Sequence, residues 1–471
     1  MSQLSGMDYM FFGIETDDNP AHIAGVSICD PASAPGGKMT GPQIRKLLCE
    51  RLEPLPLIRR RLQRVPLNLD YPYWVDDEDF DIDSHIRMMR LPKPGSWDQL
   101  TRKMSQLLNE PFDENRPLCE ICVIQGINTA PDLSRGSFAL FLRMHHVFAD
   151  AATSMIINDV MFDDSSFDPA DAEEIPQRPD NLQMLTAAAS NSVRRSFGTG
   201  LKAVKATPSV ARYLSETINR SIRDRELPIG RLGDPKTQLV PETLGLERSA
   251  DACRLDFSRV KAMRQLVAGS TINDLLIAVV GGGIRRYLAK HGEIPVDSLT
   301  TVAPINLRQF DDGEEGSNVV SAMMLPLHQD IEEPVERLAA IHAASASAKR
   351  DEVMEVNRRL AGIISGLPAP VLGTTLGAIT GLAYRGNTSF ASTIVSNVRS
   401  YVEIRTVGGA EVKYAFGIGP LGPGIGSIHA CTVYAGYIHI GLTCLPDAIP
   451  DTREYMQFIE DSFAEYEALV A

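Results

Sequence analysis

Apolar positions along the chain alternate, cluster or recur at helical spacing in an order that reads as mixed α and β throughout. His22 to Cys29 is strand-like and stops at the turn-rich stretch Asp30 to Gly37. Gly41 to Leu52 and about Trp97 to Leu108 have helical spacing. Leu118 to Gln125 and Phe138 to His146 predict two strands separated by the polar stretch Asn128 to Gly136, so together they predict a hairpin. Ala151 to Met161 resumes helical character. From about Glu247 a second series begins, with a strand over Ala252 to Asp256, a helix over about Ser258 to Val267 and a strongly apolar helix reaching Lys290. Strands follow over Leu299 to Leu307, Val319 to Leu327, Ser392 to Asn397 and Cys431 to Leu442, and a helix over Asp451 to Val470 closes the chain.

Composition changes between the two series. Asp163 to Asn181 is rich in Asp, Glu, Pro and Ser and reads as a linker. From Asn191 to Arg231, Arg and Lys outnumber the acids Glu216, Asp224 and Glu226, against the trend of the chain. That stretch reads either as a solvated helix face or as a basic amphipathic contact with anionic lipid headgroups. A chain of 471 residues exceeds one ordinary core. The expected division is therefore 1–165, a linker or crossover over 166–246, and 247–471. Leu360 to Tyr384 carries no charge and is long enough to span a bilayer. Pro368, Pro370 and its Gly and Thr residues point instead to buried or lipid-contacting helices at a domain seam.

The net charge of -14 argues against nucleic-acid binding, which needs clustered Lys and Arg. Seven dispersed cysteines do not form a disulfide framework and favour a reducing compartment. Cys119 and Cys122 are spaced as a CxxC pair, but on a strand they point to opposite faces, which disfavours a redox or zinc role. The first residues lack a charged n-region and a long apolar h-region, so a cytoplasmic location is expected.

The chemistry concentrates in Arg143-Met144-His145-His146-Val147-Phe148-Ala149-Asp150-Ala151. On a strand, His145 and His146 address opposite faces, and His146 shares parity with Phe138, Leu140, Leu142 and Met144. An imidazole at the end of such a strand can meet a cleft from a rigid base. A neutral hydroxyl is a poor nucleophile, and histidine can take its proton during attack and return one to a departing thiolate. Asp150 could fix the geometry of the turn. The competing readings are a packed core histidine or a metal ligand, although adjacent strand histidines chelate one zinc poorly. Thr271 or Asn273 can cap the helix that follows them.

His145-His146-Val-Phe-Ala-Asp150 resembles the HHxxxDG signature of CoA-dependent acyltransferases. The chain as a whole is similar to the bacterial wax ester synthase/diacylglycerol acyltransferase family. Met7-Asp8-Tyr-Met-Phe-Phe, Asn19-Pro20-Ala21-His22-Ile-Ala-Gly25, Phe80-Asp81-Ile-Asp-Ser-His85-Ile-Arg87, Leu91-Pro-Lys-Pro-Gly95 and Arg116-Pro117-Leu118-Cys119-Glu120 carry the likeness in the first half. In the second half it rests on Thr271-Ile272-Asn273-Asp274, Ile284-Arg-Arg-Tyr-Leu288, Pro304-Ile-Asn-Leu-Arg308, Gly316-Ser-Asn318 and Ser396-Asn397-Val398. The resemblance implies an α/β (α+β) fold of two chloramphenicol-acetyltransferase-like halves, joined by a long linker around a central substrate tunnel. By the same resemblance His146 is the general base, His145 supports the site, Asp150 is chiefly structural, and Asn273 orients substrate or stabilises the oxyanion. Acyl-CoA is the implied co-substrate with no further cofactor, and a diacylglycerol or long-chain alcohol is the acceptor, giving triacylglycerol or wax ester. A peripheral contact with the inner membrane or lipid droplets is left open.

Three positions depart from the family pattern: Ala151 for glycine, Cys119 for tryptophan, and Arg399-Ser400 for Pro-Gly. They keep two alternatives in view, a condensation-type enzyme using a carrier-bound thioester and a non-catalytic lipid-binding relative. Gly417-Ile-Gly419-Pro-Leu-Gly422 matches GxGxxG, but Pro420 and Pro423 interrupt it, and it reads as a Gly-rich cleft loop. The serines lack a GxSxG elbow, which disfavours a serine hydrolase.

Overall fold

The computed structural model describes residues 2–15, 20–148, 151–168, 175, 178–200, 234–239, 247–306, 320–349, 359, 362–385, 391–398, 403–422 and 424–470. Two six-stranded sheets organise them. The strands are β1 (Ser2–Gln3), β2 (His22–Asp30), β3 (Arg60–Gln63), β4 (Tyr73–Asp76), β5 (Ile86–Arg90), β6 (Cys119–Ile127), β7 (Ser137–His145) and β8 (Ser249–Asp256). They continue with β9 (Thr300–Asn306), β10 (Val320–Pro326), β11 (Thr393–Val398), β12 (Thr406–Val407), β13 (Ala410–Ile418), β14 (Ser427–Tyr434) and β15 (Tyr437–Cys444). The helices are α1 (Gly6–Ile14), α2 (Gly41–Leu52), α3 (Ile82–His85), α4 (Trp97–Asn109), α5 (Ala151–Val160), α6 (181–200), α7 (Val260–Gln265), α8 (Ile272–Lys290), α9 (Pro334–Ala348), α10 (Ala369–Arg385) and α11 (Thr452–Ala468).

The first sheet runs β12-β13-β2-β7-β6-β5. Its inner strand β7 is buried at every position, which is why Phe138 to Met144 is an almost unbroken apolar run. The predicted hairpin is present as antiparallel β6–β7. Alternate residues of β7 face two cores. Phe138, Leu140, Leu142 and Met144 pack with Ile44, Leu48 and Leu52 of α2. Ala139 and Phe141 pack with Leu100, Met104 and Leu107 of α4. Cys119 and Cys122 fall on these two different faces, both buried and unpaired in disulfides.

The second sheet runs β10-β9-β11-β14-β15-β8 and is covered by α8, α9 and α11. The sequence predicts one strand over Cys431 to Leu442. It is instead a hairpin, because Ala435 and Gly436 both take positive φ, 49° and 82°, and reverse the chain between β14 and β15. The GxGxxG stretch is also corrected: Gly417 lies within β13, so the pattern begins in a sheet and not in a loop.

β12 and β13 are distant in sequence from the other strands of the first sheet. β13 pairs antiparallel with β2, Glu411 opposite Asp30 through Ile418 opposite Ala24. The turn before it is held by Asp163, whose carboxylate accepts from the Gly408 and Gly409 amides at 2.7 Å each. A Cβ at Gly441 of β15 would overlap the Gly417 carbonyl of β13, so only glycine permits this approach between the sheets. A second junction joins α4 to the far sheet, where Trp97 Nε1–H donates to Asp251 Oδ1 at 2.8 Å.

Among the described residues, no helix is long and apolar enough to cross a membrane. The uncharged segment contains most of α10, which packs against α1 and buries Ala369, Leu372 and Leu376 while Val371 is exposed. Most of 166–246, including much of the basic stretch Asn191 to Arg231, lies outside the described residues, and so do Arg399 and Ser400.

Candidate active site

β7 ends at His145, and His146 begins the turn that follows. The His146 amide donates to the Ala21 carbonyl at 2.7 Å, extending the β2–β7 pairing by one bond beyond the strand. This holds the His146 backbone while its ring remains partly exposed. Burial pushes that imidazole down to about 4, so at neutral pH it is uncharged and able to accept a proton. One face of the ring is covered by Phe11 of α1, with centroids 3.5 Å apart and planes inclined at 16°.

His145 is buried. The Val147 amide donates to its Nδ1 at 3.1 Å, which makes Nδ1 an acceptor and places the ring proton on Nε2. Nε2–H then donates to Glu15 Oε2 at 2.8 Å. The other Glu15 oxygen accepts from the Ala21 amide at 3.3 Å. Burial works against the Glu15 carboxylate, but the His145 and Ala21 hydrogen bonds outweigh it and hold the group below the usual carboxylate range.

His22 stands directly opposite His145 across β2 and β7. It donates from Nδ1 to the Leu108 carbonyl at 3.0 Å and meets Phe112 edge to face at 4.8 Å. Burial pushes its imidazole down to about 4 as well. Beyond it, the buried Arg143 guanidinium lies over Phe112 at 4.1 Å and pairs with Glu120 at 2.7 Å. A charged layer therefore braces the strand behind the histidine pair.

The structure thus brings together His145, His146, Glu15, His22 and Phe11. Glu15, Phe11 and His22 had no assigned role in the sequence reading, although Phe11 and His22 fall inside quoted family-like stretches and Glu15 lies between them. No periodicity marks Glu15; its acid type just before a strand is the only available signal. Asp150 lies outside the described residues. Ala151 opens α5, and alanine adopts a helical backbone readily, so the departure from glycine is accommodated there.

Asn273 sits in the first turn of α8, in the second half. The cap is Thr271: its hydroxyl accepts from the Asp274 amide at 3.2 Å, and Asp274 Oδ2 accepts from the Thr271 amide at 2.9 Å. Asp274 Oδ2 also meets His342 Nδ1 at 3.0 Å. Capping therefore does not occupy the half-buried side chain of Asn273.

Comparison with known proteins gives the family and the fold. The wax ester synthase/diacylglycerol acyltransferase catalytic domain matches residues 4–276, and the WS/DGAT C-terminal domain matches residues 316–467. A Mycobacterium tuberculosis H37Rv protein named as a diacylglycerol O-acyltransferase is 27% identical over 487 aligned residues, covering 100% of this chain and 97% of that one. The wax ester synthase/diacylglycerol acyltransferase of Marinobacter aquaeolei VT8 superposes with a TM-score of 0.67 at 22% identity, covering 100% of both chains. The first condensation domain of the calcium-dependent antibiotic synthetase shares the fold at a TM-score of 0.56 and 13% identity, over 100% of this chain and 96% of that one. The two-sheet α/β architecture is that of two chloramphenicol-acetyltransferase-like halves. The chain belongs to the wax ester synthase/diacylglycerol acyltransferase family and is an acyltransferase of that family.

Proposed function

We propose that the protein moves a fatty acyl group from acyl-CoA to a diacylglycerol or long-chain alcohol, with His146 as general base, in a ternary complex without a covalent acyl-enzyme. The observation that carries this reading is the uncharged, partly exposed imidazole at the end of β7, fixed through its own amide and backed by a buried polar layer. The acceptor hydroxyl gives its proton to His146 as its oxygen bonds to the thioester carbonyl carbon. Collapse of the tetrahedral intermediate breaks the C–S bond, and the proton passes to the departing CoA thiolate. A base held in place contributes about 10²–10⁴ in rate. Burial makes a protonated ring costly, and the negative oxygen forming beside it offsets that cost. Asp150 shapes the turn after the base. Asn273 is assigned to the developing oxyanion, where one donor is worth about 2.7–4 kcal/mol.

A central tunnel between residues 1–165 and 247–471 would admit CoA from one mouth and the apolar acceptor from the other. A lipid acceptor suits the surface of α6, where Leu182, Val193 and Phe197 are 71%, 62% and 81% exposed along one helical stripe. That surface supports peripheral contact with a membrane or lipid droplet.

Release of free CoA from palmitoyl-CoA, with and without dioleoylglycerol or hexadecanol, tests the proposal. Acceptor-dependent release with formation of the ester supports it. Release only from a carrier-bound thioester would move the protein to the condensation-type reading, and no release from either donor would leave a lipid-binding relative.

A further inference from the structure

We infer that Glu15 is a positioning residue for this acyl transfer, acting through the tautomer of His145 on the turn that carries His146; the inference rests on the function proposed above. Glu15 is the residue that ends α1, and its carboxylate bridges two elements. One oxygen takes the His145 Nε2 proton at 2.8 Å, and the other takes the Ala21 amide at 3.3 Å. Ala21 in turn accepts from the His146 amide at 2.7 Å. A single side chain therefore touches both neighbours of the proposed base: the preceding residue in sequence and its partner across the sheet.

The direction of control follows from hydrogen-bond accounting. An imidazole with a proton on Nδ1 could not accept from the Val147 amide, and that amide would be left buried without a partner. A carboxylate beside Nε2 makes the Nε2–H form the stable one, so the Val147 amide keeps its acceptor. The turn through His146 to Phe148 closes on the same residue, since the Phe148 amide donates to the His145 carbonyl at 2.9 Å. Phe12 of α1 stacks on the His145 ring at 5.0 Å and limits its rotation. The titratable and charged groups around His145 are Glu15, His22, His146 and, behind His22, Arg143. Among the described residues, Glu15 is the acid that contacts its Nε2.

Glu15→Ala should leave His145 free to exchange its ring proton between nitrogens. A base displaced by about 1 Å can cost on the order of 10²-fold in rate. The expected result is a kcat lower by about tenfold to a hundredfold with KM for palmitoyl-CoA within about twofold. Glu15→Gln keeps an acceptor for Nε2–H but forfeits the one for Ala21, and should lie between the wild-type chain and Glu15→Ala. Nitrogen NMR of histidine-labelled full-length protein, with His145 assigned by loss of its signal in His145→Gln, reads the tautomer directly. The wild-type ring should show Nδ1 bare and Nε2 protonated, and Glu15→Ala should move both signals toward the average of the two tautomers. An unchanged tautomer in a folded Glu15→Ala chain overturns the inference, as does an unchanged kcat despite a changed tautomer. A wild-type chain without acyl transfer would sink the proposed function alone, and the nitrogen signals would still decide whether Glu15 holds the ring.

Discussion

The Phe11 ring lies almost parallel to the His146 imidazole, 3.5 Å away, so helix α1 covers one face of the group proposed to act as base. α1 itself rests on the chain ahead of α10, where a Cβ at Gly6 would overlap the Ser365 carbonyl. The helix that carries the aromatic cover is therefore closely packed at its start.

Phe11→Ala removes that cover and admits water to the ring. Desolvation is the principal cause that lowers the His146 imidazole, so relieving it raises the value toward about 6.5. The acid limb of a pH–kcat/KM profile should move to higher pH in this variant. In the wild-type chain the base is lost only as pH falls through about 4, and activity limited by it should be flat above about 5.

Asn273 and Thr271 should separate by readout. Thr271→Ala removes the cap and costs about 1 kcal/mol of stability, seen as a lower denaturation midpoint. Asn273→Ala should leave the midpoint almost unchanged and lower kcat by about 10²–10³ if its amide serves the oxyanion. An Asn273→Ala chain with full kcat would remove that residue from the chemistry.

Gly441→Ala should disrupt the junction of β13 with β15, because the new methyl would occupy the place of the Gly417 carbonyl. Overpacking of this kind costs about 1–3 kcal/mol or more. Thermal denaturation should show the loss, and an unchanged Tm would mean that the sheets approach less closely than described.

Stability should fall from pH 7 toward pH 4. Burial holds His22, His146 and His429 at about 4 and His439 at about 3. Unfolded histidine titrates near 6.5. Between those values the unfolded chain binds more protons, so the contribution is fully present above about 6.5 and is lost as pH drops through about 4. Desolvation raises the carboxyls of the buried Asp251 and of the partly buried Asp234 and Glu460, and these act in the opposite sense. Urea midpoints measured across this range for the wild-type chain and for His439→Phe isolate the histidine part: the variant should show the shallower dependence.

The β6–β7 hairpin and the α4 helix were legible because each carries its own pattern: unbroken apolar residues in β7, and 3.6-residue spacing in α4. The placement of His146 at a strand end followed from the same run. The partnership of β13 with β2 was not legible, because it joins strands almost 400 residues apart, and register between distant strands leaves no local mark. The Glu15–His145 contact was hidden for the same reason, being a side-chain meeting across 130 residues. The β14–β15 turn was lost because Tyr434-Ala-Gly-Tyr437 reads as a continuing strand unless the positive φ at Ala435 is known.

Measuring ester formation from palmitoyl-CoA and the preferred acceptor, for wild-type and His146→Ala chains of equal Tm, bears most directly on the whole account. The wild-type enzyme should make ester and release CoA in equal amounts, and the variant should lose about 10²-fold or more of that rate. A folded His146→Ala protein that turns over at the wild-type rate would contradict the assignment of the base.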